Sequence, residues 1–171
     1  MNFNVIIPLY ATEVLNQGVH GFGLLLSASG AGSLVGALLV SSRVKGNPRL
    51  MTLVGSGFLV SALLVLLNFI HSLPLAVGMF AIIGFINIIF IVTVNSIIQL
   101  NSSDQFRGRV MSVYSFAFAG TTPIGNLFAG SITERLGPGM GFLLCGAVSG
   151  FFILLIAINI LLKKHVPQAS I

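Results

Sequence analysis

Arg49 and Asp104 are separated by 54 residues that include no Lys, Arg, Asp or Glu. An α-helix needs about 20 apolar residues to span the hydrocarbon core of a bilayer. This interval holds two such runs, and four further apolar runs lie on either side of it. Backbone N–H and C=O groups have no water partners in hydrocarbon, so a segment that crosses must satisfy its own hydrogen bonds as a helix. The fold expected is therefore all-α and polytopic, a membrane protein whose function follows from how it crosses the bilayer.

Composition narrows the classes. With 56% hydrophobic residues against 6% charged ones, the 171-residue chain lies outside the soluble globular range. A net charge of +5 invites a nucleic-acid partner, but the eight basic residues are scattered over short connectors rather than gathered on one face. No nucleic acid is expected. Cys145 is the single cysteine and sits in an apolar run, so an internal disulfide is excluded. The N-terminus lacks the basic start and small-residue cleavage site of a secretory signal, so its first apolar run is expected to be part of the mature structure.

Gly, Pro and charge divide the chain into six helical segments, at about 1–15, 21–42, 50–71, 74–101, 109–134 and 140–162. Together they form one six-helix transmembrane domain over 1–171. Six crossings place both termini on one side of the membrane, with Arg43, Lys45, Arg49, Arg107, Arg109, Lys163 and Lys164 beside them; only Arg135 lies opposite. Basic residues are retained on the cytoplasmic side, so both termini are expected to be cytoplasmic in the inner (plasma) membrane. The first segment is too short: 15 residues cover only about 22 Å of a core about 30 Å thick. The expectation is that the helix begins upstream and that the chain is a fragment.

Segment two leaves the membrane as Gly32-Ser-Leu-Val-Gly-Ala-Leu-Leu-Val-Ser-Ser-Arg43, and segment five as Gly125-Asn-Leu-Phe-Ala-Gly-Ser-Ile-Thr-Glu-Arg135, an offset of 93 residues (125 − 32). Gly-rich helices produce such matches by chance as well as by descent. If the repeat is real, the chain is two three-helix units, and an odd number of crossings per unit inverts the second relative to the first, as in secondary transporters.

Several runs resemble a known family. Asn95-Ser-Ile-Ile-Gln-Leu, Asp104-Gln-Phe-Arg-Gly-Arg-Val-Met-Ser-Val-Tyr114 and Gly120-Thr-Thr-Pro-Ile-Gly125 are similar to the tenth-to-eleventh helix region of major facilitator superfamily transporters. Val5-Ile-Ile-Pro-Leu-Tyr10 and His20-Gly-Phe-Gly-Leu-Leu-Leu-Ser-Ala-Ser-Gly-Ala-Gly32 resemble its seventh and eighth helices. The resemblance covers the whole chain and points to the bacterial efflux branch that contains macrolide and enterobactin exporters. It implies the C-terminal six helices of a twelve-helix fold, a small-molecule substrate, and a partner that is either an N-terminal six-helix half or a second copy. One motif departs: where the loop after the eighth helix often carries Gly-x-x-x-Asp-Arg, this chain has Gly36 followed four residues later by Val40, with no acid in the loop.

No acidic or basic side chain lies at bilayer depth, so a proton-coupling carboxylate, if transport uses one, belongs to the partner half. Glu13 and Glu134 are helix-end residues. Neutral polar groups do align. Gly84, Asn87, Ile91, Asn95 and Gln99 share one face of segment four at 100° per residue, and Ser115, Ala119, Thr122, Asn126, Ala129 and Thr133 share one face of segment five. Asn87, Asn95 and Gln99 are candidates for a substrate cavity, interhelical hydrogen bonding being the alternative. Gly32, Gly36, Thr122, Pro123 and Asn126 are candidates for packing against the other half, and Pro123 should kink its helix. Ala28, Gly32 and Gly36, like Gly146 and Gly150, have the spacing that lets helix backbones approach. Asp104, Arg107 and Arg109 are candidates for a cytoplasmic gate; alternatively Asp104 or Ser103 caps segment five and the arginines anchor it.

Transport by a secondary transporter, in the efflux direction, is the function expected. The alternatives are an oligomeric channel or assembly subunit and, third, an intramembrane enzyme. The enzyme reading lacks its base: Ser56 and Ser149 lie in helices, but His20, His71 and His165 lie at connectors or the tail. No cofactor or metal is expected, because no His/Cys/Asp cluster has ligand spacing.

Overall fold

The computed structural model describes residues 3–43 and 50–165, with side chains described over 5–42 and 50–160. Lys45 and Arg49 lie outside the described residues, as do the side chains of Arg43, Lys163 and Lys164. The helices are α1 (Phe3–Leu9), which runs into a π-helical turn Tyr10–Val14, α2 (Gly18–Arg43), α3 (Leu50–Leu67), α4 (Leu73–Leu100), α5 (Arg107–Leu136) and α6 (Pro138–His165). No strand occurs among the described residues.

Among the described residues four helices are long and apolar enough to cross a membrane: Gly18–Ser42, Leu50–Leu67, Leu73–Leu100 and Pro138–Ile160. The 30-residue α5 has the length, but Ser, Thr, Gly and Asn interrupt its apolar content and it is not among them. The apolar part of α1 is only Val5–Val14. The chain is thus an all-helical, multi-pass membrane protein.

The sequence-based boundaries change in three places. The first segment is not one regular helix. Pro8 brings no N–H to the ladder, and the Thr12 hydroxyl donates to the carbonyls of Pro8 (3.0 Å) and Leu9 (3.1 Å). The register then widens, with the Leu15 N–H reaching back five residues to the Tyr10 carbonyl at 3.1 Å. Between α5 and α6 only Gly137 stands outside the helices, and its φ of 83° makes the reversal that a side chain would oppose. Finally, neither Asp104 nor Ser103 caps α5 with its side chain: the residue at the cap is Phe106, without a side-chain cap bond. Arg107 takes the Asp104 carboxylate instead (2.6 Å), and the Ser103 carbonyl accepts the N–H groups of Phe106 and Arg107.

Helix pairing follows the small residues. At Gly32 an added Cβ would collide with the Ala81 carbonyl, and at Gly84 with the Ser29 carbonyl. At Gly36 it would lie 2.8 Å from the Phe85 carbonyl oxygen. So α2 and α4 touch backbone to backbone, and both run the same way through the bundle. On the far side α3 meets α6 likewise: a Cβ at Gly146 would lie 2.8 Å from the Ser61 carbonyl oxygen, and Gly57 faces the Phe90 ring and Ile153. Between apolar helices in lipid no hydrophobic effect favours contact, so close packing of this kind carries the association.

The apolar core gathers at the end of the bundle where α3 turns into α4. Tyr10, Phe80 and Phe142 are almost fully buried, with ring centroids 5.2 Å apart for Tyr10–Phe142 and 6.0 Å for Phe80–Phe142, both edge-on. The Tyr10 hydroxyl donates to the Ile70 carbonyl just past α3. At the opposite end α5 is exposed around most of its first half.

Candidate functional site: the polar faces of α4 and α5

Phe80 and Asn87 are seven residues apart, two turns of α4 or about 10 Å, and point the same way. Phe80 therefore defines the direction of the stripe. At the core end that face is sealed by aromatic packing; further along it, Asn87, Ile91 and Asn95 are half-buried and Gln99 is exposed. The opposite face carries Leu75 and Ile82, 64% and 48% exposed, as a lipid-facing surface should. The stripe divides by partner. Gly84 is turned to α2, the Asn95 amide donates to its own helix at the Ile91 carbonyl (2.9 Å), and the Asn87 amide has no hydrogen-bond partner among the described residues.

The α5 stripe behaves in the same way. Ala129 and Thr133 are buried, with the Thr133 hydroxyl beside Gly141 of α6 and donating to the Ala129 carbonyl at 2.6 Å. Gly130 lies beside Val5 of α1. Towards the other end Asn126 and Thr122 are half-buried and Ala119 and Ser115 exposed. The Thr122 hydroxyl donates to the Phe118 carbonyl at 3.0 Å, and Asn126 Oδ1 is buried with no hydrogen-bond partner. α5 is continuous through Pro123. Both polar faces thus begin at the packed end and run towards the sparsely packed one.

Of the residues singled out in sequence, Gly32 and Gly36 have their close neighbours within this chain, on α4. At the start of α5 Asp104 pairs with Arg107, whereas Arg109 turns to Phe106. The Asp104–Arg107 pair is solvent-exposed, 91% and 48%, which makes it worth little as a stabilising contact. The Arg109 guanidinium lies 5.9 Å from the centre of the Phe106 ring, within cation–π range. Sequence reasoning missed Phe106, although its spacing of three from Arg109 on one helix face was the available signal. It also missed the cross-helix bond of Ser33, whose hydroxyl donates to the carbonyls of Ser29 (2.9 Å) and Gly84 (3.1 Å).

A family model, Major Facilitator Superfamily, matches residues 1–170. The chain belongs to the Major Facilitator Superfamily. Relatives named multidrug efflux pump Tap, from Mycobacterium tuberculosis and Mycobacterium bovis, are 28% identical over 134 residues, 78% of this chain and 32% of theirs. A relative of the same name from Mycolicibacterium fortuitum is 26% identical over 134 residues, again 78% of this chain and 32% of its own. This superfamily member therefore spans about a third of the length of the curated relatives it matches. No solved structure matches it. These relatives are named as efflux pumps.

Proposed function

We propose that the chain is a six-helix half of a secondary transporter that exports hydrophobic or amphipathic small molecules, acting with a partner half. The observation that carries this is the family match over residues 1–170, combined with two neutral polar stripes that turn away from the lipid-facing surface. In this reading α1 and α5 are the fifth and sixth crossings beside the four apolar spans. A helix as polar as α5 is stable in a bilayer only against protein or water, and α5 is joined to the apolar α6 through Gly137 alone. The chain is one domain of two inverted three-helix units, with both termini cytoplasmic.

Asn87, Asn95 and Gln99 line the substrate cavity, Asn87 with its amide free to bond a substrate. Thr122, Pro123 and Asn126 face the other half. Any proton-coupling carboxylate is supplied by that half, since the four apolar spans contain none and Glu13 and Glu134 are exposed residues near helix ends.

Counterflow of ethidium into liposomes tests the reading. The chain reconstituted with its partner half should accumulate ethidium, and the chain alone should not. Replacing Asn87 by Leu leaves a substrate group unpaired at a cost of about 1–3 kcal/mol, so uptake should fall roughly tenfold. Robust flux by the chain alone would overturn the two-half arrangement in favour of a homodimer; an unchanged rate for Asn87→Leu would remove Asn87 from the cavity.

Topology gives a second test. In a Cys145→Ser background, cysteines at Ser42 and Leu136 should react with an impermeant maleimide from opposite sides. Leu136 is chosen because it is 55% exposed, whereas Gly137, at φ 83°, would be strained by a side chain. Labelling of both from outside intact cells would sink the six-crossing topology.

A further inference from the structure

We propose that Asn126 is a specificity-determining residue, its side-chain carbonyl accepting a hydrogen bond from substrates that carry N–H or O–H donors. The inference rests on the transport proposed above and goes beyond it by naming what the substrate must offer. Asn126 Oδ1 is buried with no hydrogen-bond partner. Other asparagines of these helices tie the amide nitrogen to the carbonyl four residues back: Asn95 to Ile91 at 2.9 Å, Asn101 to Ile97 at 2.8 Å and Asn159 to Leu155 at 2.9 Å. Asn87 and Asn126 make no such bond among the described residues. A buried acceptor left unpaired costs stability, so its retention calls for a reason.

Placement points to the cavity. The contact of Gly139 with Asn68 sets the end of α5 beside the start of α4. Counted from there, at Leu73 and Leu136, Asn87 and Asn126 lie about 21 Å and about 15 Å into the bundle. One turn before Asn126, Pro123 has no N–H for the Ala119 carbonyl, a second acceptor on the same face of α5. Between Arg109 and Glu134 that helix carries no charged residue. The face thus offers acceptor oxygens without charge, and an N–H or O–H donor is what complements them. Although Asn126 borders the other half, a fixed bond to that half needs an acceptor open at the interface, whereas Oδ1 is closed off by this chain alone. A donor reaches it only when α5 shifts, and α5 is exposed around most of its first half. Substrate bound to the shifted helix gains a bond that the empty cavity lacks, and so favours that shape.

Two cations test it in liposomes holding the chain assembled with its partner half. Ethidium carries aromatic amino groups that donate; tetraphenylphosphonium has the same charge and no N–H or O–H. Asn126→Leu keeps the size of the side chain and removes the acceptor. The ratio of ethidium to tetraphenylphosphonium uptake should then fall about tenfold. In detergent, without substrate, the variant should melt at or above wild type, because an unmet buried acceptor is gone. An unchanged ratio overturns the inference: with both rates lowered Oδ1 serves a donor of the partner half, and with neither lowered it holds a buried water. Melting several degrees below wild type overturns it too, since Oδ1 would already be bonded in the empty protein. If the wild-type assembly moves neither cation, the transport reading itself fails and this inference falls with it, a result distinct from an unchanged ratio.

Discussion

Replacing Gly84 by Ala is expected to destabilise the protein, while the same substitution at Gly55 does not. In a helix interior Ala is favoured over Gly by up to about 1 kcal/mol, so without a steric conflict both variants would gain. At Gly55 nothing lies within 4 Å of the new methyl group. At Gly84 the methyl group meets the Ser29 carbonyl, a backbone atom held by its own helix and by the Ser33 hydroxyl. Overpacking of this kind costs about 1–3 kcal/mol, more than the propensity gain. Gly84→Ala should therefore unfold several degrees below wild type in detergent, and Gly55→Ala at or above it. Gly32→Ala strikes the Ala81 carbonyl across the same seam. Because either methyl group already forces α2 and α4 apart, the double variant should lose less than the sum of the two. Equal melting temperatures for the Gly84 and Gly55 variants would show that the seam is looser than its geometry.

How far the sequence could be read depended on whether a feature was local. Small residues four apart marked Gly32, Gly36, Gly146 and Gly150 as points of close approach; the first three make one, while a Cβ at Gly150 would meet only Ser61 at an ordinary contact distance of 3.5 Å. The identity of the partner was not legible, because periodicity says which residues share a face and not which helix lies against it. For this reason Gly32 and Gly36, expected against another half, have α4 as their neighbour. The stripes on α4 and α5 were legible for the same local reason, but the gradient along them was not. It arises where α1 and the aromatic cluster of Tyr10, Phe80 and Phe142 fill one end of the bundle, and that depends on contacts remote in sequence. The start of α5 failed differently. Asp104 and Ser103 are good caps in isolation, yet an arginine three residues on competes for the same carboxylate, and at 2.6 Å it wins.

That competition bears on the candidate cytoplasmic gate, where the second large effect is expected. Arg107 is held by Asp104, and Arg109 stands over the Phe106 ring with no carboxylate within 4 Å among the described residues. If the arginines serve only as cytoplasmic anchors, their charge is all that counts, and replacing both by Lys preserves it. A latch that engages acidic or backbone groups of the partner half needs the planar fork of the guanidinium, for which a Lys ammonium is no substitute. The exposed pair with Asp104 is weak enough to be exchanged for such a contact. We therefore expect Arg107→Lys with Arg109→Lys, in the assembled two-half transporter, to insert normally, keep its topology and lose at least about tenfold in flux, as loss of one charge-assisted bond of about 1.5–3 kcal/mol would give. Asp104→Asn separates the two roles, because it frees Arg107 without altering either guanidinium. Under the latch it should shift the balance of inward- and outward-facing states, read by accessibility of a cysteine at Ser115, while the double Lys variant shifts it the opposite way. Wild-type flux in the double Lys variant would leave both arginines as topology signals and nothing more.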